Sequence, residues 1–134
     1  MVLVLSILLL GCGSKEVDLR TPESTLRTYV NAYNSGNRRA LLACGRATGL
    51  KDAFTIEGFD KDGKITALPV TNIEHQVLSS IPGHTSVTRM VTTSNVTLVV
   101  RFTSKVEREY DRTMNVQLQC RRVAYEEEDV WTIL

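Results

Sequence analysis

The strongest constraint on this chain is a two-residue alternation in its second half. Val96, Leu98, Val100 and Phe102 alternate with Thr97, Val99 and Arg101, and Val116, Leu118 and Cys120 alternate with Gln117 and Gln119. Successive side chains on a strand point to opposite faces, so each set describes a strand with one covered and one wet face. A sheet of that kind is antiparallel and needs a second layer on its apolar side. The runs at 85–92, 96–106, 113–124 and 130–134 are rich in Val and Thr, which suit strands. Residues 73–78 form a further strand candidate. Residues 54–59 and 65–70 flank Asp60-Lys61-Asp62-Gly63-Lys64, which reads as a turn. Residues 79–84, with Pro82-Gly83, read as a loop, and the acidic stretch 126–129 as a hairpin turn before Trp131.

The second layer is visible upstream. Thr21 can cap a helix, Pro22 suits its first position, and Glu23 favours the positive end of its dipole. Leu26, Tyr29, Val30 and Tyr33 then fall on one stripe, with Arg27, Thr28 and Asn31 on the other side. Gly36 is a natural stop. Asn37 can cap a shorter helix carrying Ala40, Leu41, Leu42 and Cys44, ended by Gly45 or Gly49. Helices first and strands afterwards predict an α+β domain, with N-terminal helices packed on a curved antiparallel sheet.

The first residues follow a different logic. Residues 2–10 are apolar and end in Leu9-Leu10-Gly11-Cys12. This segment resembles the lipobox of bacterial lipoproteins. It is about half the length of a membrane-spanning helix and fits a secretory apolar core. The resemblance implies a signal peptide at 1–11, a Cys12 that carries diacylglycerol, and a polar tether through residue 20. The domain proper is then 21–134. The chain would sit in the bacterial cell envelope, held to the membrane through its N-terminal lipid. With Gly13 and Ser14 after the cysteine, this is the outer membrane facing the periplasm in a Gram-negative cell.

With Cys12 assigned to lipid, Cys44 and Cys120 remain. In an oxidising compartment they are the pair available for a disulfide. The chain-entropy picture assigns such a bridge about 4.5 kcal/mol. The alternative is two separately buried thiols. The net charge of +1 on 134 residues shows no basic excess for nucleic acid, and there is no acidic tail.

The helix start Thr21-Pro22-Glu23-Ser24-Thr25-Leu26, the residues Tyr29, Ala32, Tyr33 and Gly36, the stretch Asn37-Arg38-Arg39-Ala40-Leu41-Leu42, and the ending Val130-Trp131-Thr132-Ile133 are together similar to small NTF2-like (cystatin-like cone) domains. They include the DUF4878-like domains of secreted lipoproteins. The resemblance implies a cone with a pocket between helix and sheet. Some members of that fold are isomerases or dehydratases, and many are binding or assembly modules. Tyr29, Tyr33 and His75 are the residues that could line such a pocket, although aromatic residues on a helix stripe are more often plain core and His75 also reads as an exposed strand position.

The leading expectation is a binding or interaction module for an envelope protein or a small apolar ligand, with no catalytic residue assigned and no cofactor. A small-molecule enzyme using His75 and a pocket tyrosine is the alternative. A structural homodimer joined through the open sheet face is the third. No metal is expected: Asp60-x-Asp62-Gly63 starts like a calcium loop, but its twelfth position is Thr71. The histidines and cysteines lack zinc spacing.

Overall fold

A computed structural model describes residues 17–106, 109–126 and 128–134. The expected signal peptide, Cys12 and the first part of the tether lie outside the described residues. Three helices precede six strands: α1 (Pro22–Ser35), α2 (Arg38–Ala43), α3 (Thr48–Ala53), β1 (Thr55–Phe59), β2 (Ile65–Pro69), β3 (Ile73–Thr88), β4 (Val91–Ser104), β5 (Asp111–Val123) and β6 (Trp131–Ile133). The architecture is α+β, with few helices packed against antiparallel sheets.

Helix α1 begins where the sequence places it. Thr21 Oγ1 accepts from the Ser24 amide at 3.0 Å and Ser24 Oγ accepts from the Thr21 amide at 3.1 Å, a reciprocal capping box. Gly36 ends it in the left-handed region at φ 72°, where glycine has no Cβ penalty. Asn37 Oδ1 caps α2 through the Ala40 amide. Helix α3 was not expected. It runs through Gly49, and it follows Ala47 at φ 46° with no side-chain cap. Tertiary contact holds it instead: Leu50 and Ala53 are buried, and the Ala47 amide donates to the Ile133 carbonyl.

The strands form a two-stranded sheet, β1-β2, and a four-stranded sheet in the order β3-β4-β5-β6. The Asp60 turn is a local device: Asp60 Oδ1 accepts from the Asp62 and Lys64 amides, and Gly63 takes a positive φ. The expected loop at 79–84 is instead part of β3. The strand runs unbroken for 16 residues and pairs with β4 through two register shifts, between Val77 and Ser79 and between Pro82 and Thr85. Bulges admit a proline and a glycine without ending the ladder. A Cβ at Gly83 would lie 3.0 Å from the Asn95 carbonyl oxygen, so the bare backbone allows the approach. The hairpin turns at Arg89-Met90, and Arg89 carries φ 55°.

Leu98, Val100 and Phe102 of β4 and Val116, Leu118 and Cys120 of β5 are buried, as the alternation predicted, and they pack with Leu26, Tyr29 and Val30 of α1. Strand β6 closes the other side. Its Ile133 amide donates to the Cys44 carbonyl at 2.7 Å, and Ile133 lies beside Gly45 in a parallel bridge. A Cβ at Gly45, whose φ is 107°, would stand 2.5 Å from the Ile133 carbonyl oxygen, so only glycine fits. The last tether residues dock on the fold. The Trp131 amide donates to the Leu19 carbonyl at 2.7 Å, and the Asp18 amide to Thr28 Oγ1 at 3.1 Å. Ordered structure therefore starts ahead of Thr21.

Candidate functional site

The space between α1 and the sheet, where the sequence suggested a pocket, is packed with side chains. Tyr29 and Tyr33 both lean on Phe54, with ring centroids 6.3 and 4.9 Å away, and Phe54 meets Phe102 edge-on at 5.0 Å. Offset and edge contacts of this kind are how aromatic rings fill a core. Tyr29 is buried, and burial raises its phenol pKa. Tyr33 Oη donates to the Val70 carbonyl at 2.5 Å and contacts the Phe54 carbonyl at 3.4 Å. Tyr110, which the sequence reading did not single out, does the same for α3: its hydroxyl donates to the Ala53 carbonyl at 2.8 Å. These hydroxyls tie their neighbours to the core, alongside the Arg112 guanidinium on the Ala53 carbonyl and the Val70 amide on the Phe54 carbonyl.

His75 stands opposite Phe102 in the β3–β4 ladder, hence on the covered side of the sheet. It is half-buried. Desolvation, then the nearby Arg27 charge, push its pKa below the usual 6.5. An open groove of about 370 Å³ beside it is lined by Glu74, His75, Gln76, Arg101 and Thr103. Neither tyrosine lines that groove, so it does not gather the three residues expected to share a pocket. Asn34 pins this end of β3 to the helix: its side-chain amide donates to the Ile73 carbonyl and accepts from the Ile73 amide, each at 2.8 Å.

The cysteines are free thiols, both buried. Each is accommodated where it lies, and the structure holds no bridge between them. Cys44 Sγ contacts the Thr25 carbonyl at 3.7 Å, and burial pushes its pKa up to about 11. Burial also raises Cys120. Neither has the electropositive, accessible setting of a reactive thiol. A groove of about 300 Å³ passes Cys120, Trp131, Thr92, Ser94 and Arg122. A second, of about 400 Å³, lies between residues 17–20 and 128–130. The arginines in both are already engaged by protein: Arg122 pairs with Asp129 at 3.2 Å and donates to the Glu126 carbonyl, and Arg20 pairs with Asp18. The Arg20 guanidinium and amide hold the Asp18 carboxyl down at about 2. Among the described residues no three His, Cys, Asp or Glu side chains converge as a metal site.

No family model matches the chain, and neither a curated protein nor a solved structure matches it.

The surface with the clearest functional character is the β3–β4 hairpin. Every residue from Leu78 to Met90 is exposed. Leu78, Ile81, Val87 and Met90 each keep half or more of their surface in solvent. Between Glu74 and Arg101 the sequence holds a single charged residue, Arg89. The wet face of the sheet beside it is polar, with Asn95, Thr97, Gln117 and Gln119 between Arg101 and Arg121; Gln119 donates to Asn95 at 3.2 Å. The charge gap was visible in the sequence. Pro82-Gly83 divides the stretch in the sequence, and only the pairing with β4 joins it into one strand.

Proposed function

We propose that this chain is a lipid-anchored binding or interaction module of the bacterial cell envelope, built on an NTF2-like cone. Helix α1 lying on an antiparallel sheet supports the cone, and the Leu9-Leu10-Gly11-Cys12 pattern supports the anchor. The observation that carries the interaction reading is the β3 arm of the hairpin, exposed from Leu78 onward and uncharged from His75 to Thr88. Isolated exposed apolar residues are ordinary on a soluble protein, but a long charge-free strand with several of them is a contact surface. The tyrosines meanwhile serve the core, which leaves the outside of the sheet as the working part.

Two linked measurements test this. In membrane fractionation the full chain should sediment with the envelope, and mass spectrometry should find an acylated Cys12 at its N-terminus. Cys12→Ser should abolish both. A photo-crosslinking residue at Val87 should give a defined adduct in intact cells, and one at Leu42, exposed on α2, should not. An unmodified Cys12, or adducts equally from Leu42, would overturn the reading.

A further inference from the structure

The residues just ahead of α1 fix where the chain leaves the fold. The Leu19 carbonyl accepts from the Trp131 amide, and Trp131 stands level with Cys120 and Ser94 in the ladder. Ser94 is three residues from Val91, at one end of β4, and ten from Ser104, at the other. At the rise of a strand these separations are about 10 and 33 Å. Cys12 is seven residues ahead of Leu19, so it lies at most about 25 Å from it. A lipid on Cys12 can therefore stand level with the Val91 end of the sheet and not with the Ser104 end.

Two turns meet at the Val91 end. Arg89-Met90 joins β3 to β4, Ala124-Tyr125 follows β5, and the Ala124 amide donates to the Met90 carbonyl at 2.8 Å. Met90 is 58% exposed and Tyr125 78%. Helix α1 runs away from them: Thr25 Oγ1, in its first turn, contacts the Trp131 carbonyl, and Asn34, near its end, holds Ile73 opposite Ser104. Val17 and Val130, both exposed, line the groove where the chain enters the fold.

We infer that the Arg89-Met90 and Ala124-Tyr125 turns rest in the lipid interface, as a second contact between this chain and the membrane that holds Cys12. The side chains suit that place. A tyrosine sits at headgroup level with its ring toward the acyl chains, Met90 adds a flexible apolar side chain, and an arginine such as Arg89 keeps its guanidinium in water while its stem lies on apolar surface. The exposed side of α1 begins at the same level with Glu23, Arg27 and Asn31 and offers no comparable apolar side chain. Net charge does not drive the contact, because Arg89, Arg121 and Arg122 are opposed by the acidic stretch 126–129. Anionic lipid is therefore not required, and salt has little to screen. So few apolar side chains bury too little surface to hold the chain on a bilayer by themselves. They orient a chain that is already anchored, and they set the exposed β3 arm beside the membrane. The inference rests on the lipid-anchor reading and deepens it by naming the surface that meets the lipid.

The test is spin-label accessibility on the full-length acylated chain in phosphatidylcholine vesicles. Labels are placed at Met90→Cys and Tyr125→Cys, and for comparison at Leu42→Cys on α2 and Phe59→Cys. Phe59 belongs to the β1-β2 hairpin, which joins the fold at the Ser104 end through the Thr71 carbonyl, and Leu42 and Phe59 are 75% and 72% exposed. The unsubstituted chain, with Cys44 and Cys120 buried, is the blank. Collision with a water-soluble nickel complex should be at least threefold lower at 90 and 125 than at 42 and 59, collision with oxygen should be higher, and 1 M salt should leave the difference in place. Met90→Asp should return the label at Tyr125→Cys to nickel without lowering the urea midpoint, because Met90 is exposed. Equal nickel access at all four sites overturns the inference. So does protection at 90 and 125 that is indifferent to Met90→Asp, or that arises only when envelope extract is added, since a protein and not lipid would then cover the turns. Mass spectrometry of the same sample separates the two readings. An unmodified Cys12 removes the anchor and this inference together, whereas an acylated Cys12 with four equally accessible labels removes this inference alone.

Discussion

Tyr33 shows how single residues here serve structure where the sequence left room for chemistry. A pocket tyrosine that donates a proton needs a free hydroxyl, but this one is bound to Val70 and Phe54 backbone. Cys44 is similar. A thiol whose pKa is pushed to about 11 is almost wholly protonated at neutral pH, and the thiolate is the reactive species. Native protein at pH 8 should therefore leave Cys44 and Cys120 unlabelled by iodoacetamide, and unfolding without reductant should expose both. Peptide mapping by mass spectrometry reads this directly, and a disulfide-linked pair of peptides would contradict it. His75 gives a pH signature. Its folded pKa lies below the usual 6.5, so the unfolded chain binds the proton more readily. Its contribution to stability is complete above 6.5 and is lost as pH falls toward the depressed folded value. Urea unfolding across this range should show wild-type stability falling on the acid side, and His75→Gln should flatten that segment. Parallel curves for the two chains would refute the assignment.

At the scale of elements, the sequence is legible where one local signal decides the conformation. Thr21-Pro22-Glu23 and Gly36 mark both ends of α1, and the alternation from Val96 to Phe102 picks out the buried face of β4 correctly. It is illegible where distant backbone decides. Helix α3 has no cap and contains Gly49, and it exists because Ala47 is tied to Ile133 across the fold. Strand β3 passes through Pro82-Gly83 because β4 supplies a continuous partner. The candidate site suffered the same way: the charge gap on β3 was in the sequence, but its exposure and its open edge depend on strand order. The β1-β2 hairpin is another such element. Its link to the core is made by Phe54, Val70 and the Tyr33 hydroxyl between them. Tyr33→Phe leaves the ring contacts and removes the donor to the Val70 carbonyl. The expected cost is about 1–2 kcal/mol, read as a lower urea midpoint with an unchanged slope. An unaltered midpoint would mean that water takes over the Val70 carbonyl without loss.

For the molecule as a whole, one apolar cluster joins α1, α3, β4, β5 and β6, while two hairpins extend from it. Phe59 and Ile65, paired across the β1-β2 ladder, are both more than two-thirds exposed, and β3 is exposed from Leu78 onward. Burial of apolar surface is the main stabilising term in folding, so a segment that buries little of it opens at little cost. Stability should therefore be graded along the chain. Amides of Leu98, Val100, Val116 and Leu118 lie in the middle of the sheet beneath α1, and their exchange should require global unfolding. Amides of β1 and β2 should exchange through local opening, orders of magnitude faster, although they too are hydrogen-bonded in a ladder. Hydrogen exchange followed by mass spectrometry resolves the two groups peptide by peptide. Mild denaturant should accelerate the sheet centre steeply, since global unfolding exposes much surface, and should leave the β1-β2 rates nearly unchanged. Equal protection and equal denaturant sensitivity in both groups would mean that the hairpin is bound into the core more tightly than its exposed faces indicate. A graded result fits a rigid centre that positions a loosely held rim, which is the arrangement an interaction surface on β3 requires.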